Sequence, residues 1–168
     1  MSDRDEEPTA EELARRAYAQ CIKLLGARDH SSTELRRKLV RRDMDEAAIA
    51  SALAACREAN HVDDDRYARS YAEQLLERGR GPMAIRAKLR ERGIASDLAG
   101  DAVEALEADW VERAQSTLEH RFARNAIADD EPKAEARIAR FLQSRGFGSG
   151  DSLRALDRAR KRIEREIG

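Results

Sequence analysis

Residues 31–56 (SSTELRRKLVRRDMDEAAIASALAAC) and residues 81–106 (GPMAIRAKLRERGIASDLAGDAVEAL) are two versions of one pattern, offset by 50 positions. Leu35 falls on Ile85, Leu39 on Leu89, Met44 on Ile94, Leu53 on Val103 and Cys56 on Leu106. The cations Arg36, Lys38 and Arg42 fall on Arg86, Lys88 and Arg92. A third, weaker copy follows at an offset of 53, where Ile85 meets Ile138, Leu89 meets Leu142, Arg92-Gly93 meets Arg145-Gly146, Ile94 meets Phe147 and Val103 meets Leu156. Such repetition implies one supersecondary unit used three times, each copy burying its apolar face partly against the next. A chain of this kind suits the surface of a large partner better than the pocket of a small substrate.

Composition narrows the fold further. Charged residues are 39% of the chain and aromatics 4%, whereas an ordinary globule is about 25% charged. Arg, Glu, Ala and Leu dominate, which is helix-forming chemistry. The apolar residues fill narrow helix stripes but not one thick core. The fold class expected is all-α, an elongated, curved array of three tandem three-helix repeats. The net charge is −1, but it is unevenly spread: −5 over residues 1–14, +4 over 15–60, −2 over 61–108 and +2 over 109–168. An acidic arm therefore precedes a basic first repeat. A local basic stripe attracts phosphate even in a neutral chain; a solvated face laced with i,i+4 pairs is the plainer reading of mixed charge.

Cap and stop signals place nine helices. Residues 1–8 are acidic and polar, with the composition of a disordered arm. Thr9 with Glu12 reads as a capping box, opening a helix to about Arg28 with Leu13, Ala17, Cys21, Leu24 and Leu25 on one face. Ser31 with Glu34, and Asp43 with Glu46, read as two more capping boxes. The third helix buries Ile49, Ala52, Leu53 and Cys56. Asp63-Asp64-Asp65 opens the second repeat, with Tyr67, Tyr71 and Leu75 in register. Gly79-Arg80-Gly81-Pro82 breaks the chain, Gly93 stops the fifth helix and Ser96 caps the sixth. In the third repeat Trp110, Ala114, Leu118 and Phe122 form a stripe, and Asp129-Asp130-Glu131-Pro132 is a break. Gly146 ends the next helix, Gly148-Ser149-Gly150 is a turn, and the last helix carries Leu153, Leu156, Arg160, Ile163 and Ile167. The domains expected are a disordered arm over 1–8 and three-helix repeats over 9–60, 61–108 and 109–168.

No constellation of catalytic or metal-binding residues emerges, and the chain is expected to be neither an enzyme nor a cofactor protein. His30, His61 and His120 sit in different repeats without ligand-spaced neighbours, as surface or turn residues. Asp63, Asp64 and Asp65 lack the Gly and distal Glu of a calcium loop. Gly146, Gly148 and Gly150 follow no strand and precede no Lys-Ser/Thr pair. Cys21 and Cys56 read as reduced, buried thiols. The opening MSDRDEEPTA has no apolar core of a signal peptide, and no apolar run nears the ~20 residues of a membrane span. A cytoplasmic protein with no membrane contact is expected.

The remaining chemistry lies on the second helix of each repeat. At about 100° per residue, Arg37, Lys38 and Arg41 lie roughly 200° to 300° around from Leu35, away from the core. Arginine presents a planar fork that bonds two phosphate oxygens at once. Arg37, Lys38 and Arg41 are therefore the first candidates for contact with a partner or DNA, and Arg86, Lys88 and Arg90 the next. Arg42, Arg92 and Arg145 end their helices, where a cation complements the C-terminal carbonyls. A helix-turn-helix reader of DNA sequence is disfavoured, because EAAIASALAACREA has almost no base-reading side chains.

The array resembles the RecX family of RecA regulators. VDDDRYARSYAEQLLERGRGPMAIRAKLRERGI, over 62–94, is similar to the family's central block, with its Asp-Asp before an aromatic-Ala-Arg helix and its Gly-Pro turn. AYAQCIKLLGARDHSSTELRRKLVRRDM resembles the N-terminal block and ARFLQSRGF the third. The resemblance implies an inhibitor that lies in the groove of the RecA–single-stranded DNA filament and reduces ATP hydrolysis, strand exchange and repressor cleavage; a monomer is expected. Whether such a protein touches single-stranded DNA directly stays open. The alternative is a helical nucleic-acid-binding module that acts without RecA.

Overall fold

The computed structural model describes residues 7–167, so the expected acidic arm lies almost wholly outside the described residues. The described residues contain ten helices and no strand: α1 (Ala10–Leu25), α2 (Ser32–Val40), α3 (Glu46–Glu58), α4 (Asp64–Glu77), α5 (Pro82–Glu91), α6 (Ser96–Glu104), α7 (Trp110–Arg121), α8 (Arg124–Ala128), α9 (Pro132–Ser144) and α10 (Ser149–Ile167). The all-α expectation holds. The helix beyond the expected nine is α8, a single turn that buries Ile127. The chain divides into two compact units, Met1–Tyr67 with Arg92–Ile94, and Ala68–Glu91 with Ala95–Gly168.

In the first unit α1 packs along α3, and α2 packs against both. Thr9 and Glu12 form the capping box, the Thr9 amide donating to Glu12 Oε2 at 2.9 Å. The helix stops at Leu25 rather than Arg28, with Gly26, a poor helix former, as its cap. Ser31 and Glu34 form the second capping box. The third is absent: Asp45, not Asp43, caps α3 through the Ala48 amide, while Asp43 adopts φ 53°, a left-handed turn that Asp tolerates. The core gathers Ala17, Cys21, Leu35, Leu39, Ile49, Ala52, Leu53 and Cys56. Its small residues bring α1 and α3 close together.

In the second unit α5 packs on α6, and α10 runs against α7, α8 and α9. Ala95 rather than Ser96 precedes α6, with no side-chain cap. Val111, Ala114, Leu118, Ile138, Leu142, Phe147, Leu156 and Ile163 make a core rimmed by Trp110, Phe122 and Phe141. Of the expected turn at Gly148-Ser149-Gly150, Ser149 and Gly150 already belong to α10, and Gly148 precedes it. That helix buries Ser152, Ala155, Leu156, Ala159 and Ile163, so Leu153 and Ile167 face solvent. Arg160 donates to carbonyls at the end of α8, from Nε to Ile127 O at 3.0 Å and from Nη2 to Asp129 O, just past the helix, at 2.6 Å.

The repeat-derived core positions Leu35, Leu39, Ile85, Leu89, Ile138 and Leu142 are all fully buried. Two of the repeated glycines are fixed by sterics. Gly93 has φ 81° and lies against the Thr33 side chain; Gly146 has φ 91° and lies against Ala84. Neither position admits a β-carbon without displacing its neighbour.

Candidate functional site

Helix α2 carries the first basic candidates on the face opposite its core residues. Leu35 and Leu39 anchor the inner side. Arg37 and Arg41 are exposed and Lys38 is half-buried. Arg41 folds back so that its Nε donates to the Arg37 carbonyl at 3.3 Å, near the helix end where a cation meets the C-terminal dipole. Arg36, one step around, pairs with Glu46. The chain thus gathers Arg37, Lys38 and Arg41 on a single face, as the helical period requires.

The second candidates sit on α5, in the other compact unit. Ile85 and Leu89 are buried, and Arg86 and Arg90 project to solvent. Lys88 is bound to Glu91 at 2.8 Å, which partly neutralises its ammonium.

The recurrent arginines play roles that sequence alone did not assign. Arg42 donates to Gln20 Oε1 at 2.7 Å instead of to its own helix carbonyls. Arg92 Nη1 lies 2.6 Å from Glu34 Oε1, and Arg28 Nη2 lies 3.0 Å from the same atom. Burial alone would raise the Glu34 carboxyl; hydrogen bonds from Arg28, Arg92 and the Ser31 amide outweigh it and hold the group down at about 2. Burial first, then the Glu34 charge, pushes the nearby Tyr67 phenol up to about 12. Ser31 Oγ donates to the Arg92 carbonyl, Thr33 Oγ1 to the Gly93 carbonyl at 3.1 Å, and the Ser32 amide to Asp64 Oδ1 at 2.8 Å. The start of α2 is thereby fixed, which sets the direction in which its basic face points. Arg145, the third copy, does complement a helix end, but that of another helix: its Nη2 donates to the Arg78 carbonyl, just past α4, at 2.9 Å.

His30, expected at a surface or turn, lies in the loop between α1 and α2 and is buried. Its Nδ1 is 2.9 Å from the Arg28 carbonyl, which can only accept, so Nδ1 carries a proton. Burial lowers its pKa. Asp63 caps the start of α4 through the Arg66 amide at 3.0 Å, and Asp64 holds Ser32. Among the described residues no three His, Cys, Asp or Glu side chains converge to hold a metal ion. Cys21 and Cys56 are free and buried; burial, reinforced by Cys56, pushes the Cys21 thiol up to about 12. Among the described residues no helix is long and apolar enough to cross a membrane.

The repeat pattern does not reveal one surface feature. In the second unit an open cleft of about 570 Å³ is lined by Arg78, Arg113, Arg121, Arg145, His120 and Phe141. Its residues come from the end of α4, one face of α7 and the end of α9, with Gly79 (φ 67°) allowing the close approach to Thr117. The i, i+4, i+8 set Arg113, Thr117 and Arg121 was the signal available in the sequence.

These features define an all-helical protein of three tandem three-helix domains. The pattern for the first three-helix domain of RecX matches residues 17–56, the second residues 63–103 and the third residues 107–156. A regulatory protein RecX from Halorhodospira halophila is 38% identical over 135 residues, which is 80% of this chain and 81% of the relative. One from Stenotrophomonas maltophilia is 34% identical over 161 residues, or 94% and 97% of the two chains. The crystal structure of RecX from Lactobacillus salivarius shares the fold with a TM-score of 0.77 at 22% identity, covering 92% of this chain and 98% of that one. The chain belongs to the RecX family of regulatory proteins.

Proposed function

We propose that this chain binds the RecA–single-stranded DNA filament and inhibits the recombinase, ATPase and co-protease activities of RecA, without catalysing a reaction of its own. The observation that carries this reading is the ordered match of all three RecX domains along one chain. The basic faces of α2 and α5 supply the chemistry. Arg37, Lys38 and Arg41, then Arg86, Lys88 and Arg90, offer guanidinium and ammonium groups to DNA phosphates or to acidic RecA side chains. The repeats over 9–60, 61–108 and 109–168 act as one monomeric, cytoplasmic binding chain. Modest contacts made by several repeats on one filament add through effective concentration.

The test is a titration of RecA-dependent ATP hydrolysis on single-stranded DNA with the full-length protein. Hydrolysis should fall as the protein approaches stoichiometry with RecA. Unchanged hydrolysis at stoichiometric protein overturns the reading. Salt-sensitive DNA binding beside unchanged RecA activity would instead mark an independent nucleic-acid-binding module.

A further inference from the structure

We infer that the cleft between the end of α4, α7 and the end of α9 is a binding site for the phosphodiester backbone of single-stranded nucleic acid. The inference deepens the regulatory reading, and rests on it only for where the strand is met. The first support is charge. Arg78, Arg113, Arg121 and Arg145 line one cleft, and Glu77 is the one acidic residue on its wall among the described residues. None of the four arginines forms an ion pair among the described residues. Their neighbours do: Arg124 with Glu166, Arg154 with Asp151, Arg158 with Asp109, Arg160 with Glu135 and Arg162 with Glu119. Acids are as abundant as bases in this chain, so four unpaired guanidiniums on one concave surface are a local excess that an anionic ligand relieves.

The second support is geometry. Arg113 and Arg121 are eight residues apart on one face of α7, about 12 Å along the axis. That separation exceeds the span of a single phosphate, so the cleft fits a series of anions on a chain. Arg145 adds a guanidinium whose Nε is buried without a hydrogen-bond partner and whose Nη2 is held on the Arg78 carbonyl. This arginine is fixed in place at the helix ends rather than swinging in solvent. Burial, and after it the charge of Arg80, lowers its pKa, so an incoming anion meets a group in need of one.

The third support separates nucleic acid from an acidic peptide. Phe141 lines the same cleft, 5.9 Å from the Arg145 guanidinium and edge-on to Phe122 at 5.3 Å. A positively charged groove with an aromatic surface is the arrangement that binds unstacked bases and their backbone together.

The test measures binding of a fluorescein-labelled oligo(dT) to the full-length protein without RecA, by anisotropy across a salt series. The double variant Arg113→Gln/Arg121→Gln should bind about tenfold more weakly. Its slope of log affinity against log salt should be shallower by about 1.4, the value for two lost phosphate contacts on a single strand. Both residues are exposed, and an unchanged helical circular-dichroism spectrum certifies the fold. An affinity and slope equal to wild type overturn the proposal, as does failure of the wild-type protein to bind the oligonucleotide. Displacement of the oligonucleotide by polyglutamate as readily as by unlabelled oligo(dT) also overturns it, assigning the cleft to an acidic protein surface. RecA ATPase inhibition measured in parallel keeps the two readings apart. Inhibition that persists without oligonucleotide binding refutes the cleft alone, and oligonucleotide binding without inhibition refutes the RecA reading alone.

Discussion

Arg92 Nη1 lies 2.6 Å from Glu34 Oε1, although the two residues are 58 positions apart. The same carboxylate receives Arg28 and the Ser31 amide, so one acid ties the turn after α5 to the start of α2. The Ser31 hydroxyl on the Arg92 carbonyl closes the arrangement. The third copy repeats the logic with other atoms, since the Gly81 amide donates to the Arg145 carbonyl at 2.8 Å. Equivalent positions thus join neighbouring copies, by a side chain in one case and by backbone in the other.

This carboxylate carries a pH dependence. Its ordinary value is 4.5 and the folded protein holds it at about 2. Above 4.5 its stabilisation is fully present. As pH falls from there towards 2 the unfolded chain takes up a proton that the folded chain refuses, and the stabilisation is lost. Glu34→Gln should lower stability at neutral pH by about 1–2 kcal/mol, the two arginines being partly hydrated. Its melting temperature should also vary less than that of wild type across this acid range. Parallel acid dependence in the two proteins would remove Glu34 from this role.

Glycines of the repeat should respond in opposite directions. Gly146→Ala places a β-carbon on Ala84 at φ 91°, and should destabilise by about 2 kcal/mol or more. Gly100 lies within α6 with open space around it, so Gly100→Ala should stabilise by about 0.5–1 kcal/mol. Urea unfolding of both variants checks the pair; equal shifts would contradict the steric account.

Much of this was legible in the sequence because the repeat aligns residues doing the same job. Leu39, Leu89 and Leu142 recur because each is the inner anchor of its helix, and all three are fully buried. What the sequence hid depends on long-range placement. Glu34 reads as a capping residue, and it is one, but its second role needs Arg92 brought from far along the chain. Helix α8 lacks a side-chain cap and exists because Ile127 is buried and Arg160 satisfies its carbonyl. The cleft draws its arginines from three separated stretches, and Arg145 looked like a helix-end cation, which is half of what it is.

The thiols should be inert in the folded protein. Cys21 and Cys56 are both fully buried, and burial raises both thiols, so the reactive thiolate is suppressed twice over. Reaction with a thiol-specific disulfide reagent at neutral pH should be slow in buffer and fast in denaturant. Rapid labelling in buffer would contradict the buried assignment.

The basic face of α2 should matter more than that of α5. Charge reversal at Arg37 and Arg41 should weaken inhibition of RecA-dependent ATP hydrolysis by about tenfold while leaving helicity unchanged, since both are exposed and project away from the core. Lys88→Glu should have a smaller effect, because Lys88 is already paired with Glu91. Equal inhibition by wild type and the α2 double variant would place the contact on another face.

The most direct measurement is amide hydrogen exchange of the full-length protein with and without the RecA–single-stranded DNA filament. Slowed exchange over α2 and α5 when filament is added is the expected result. Exchange unchanged at every described residue, with the protein stoichiometric with RecA in the filament, would contradict a filament-binding regulator.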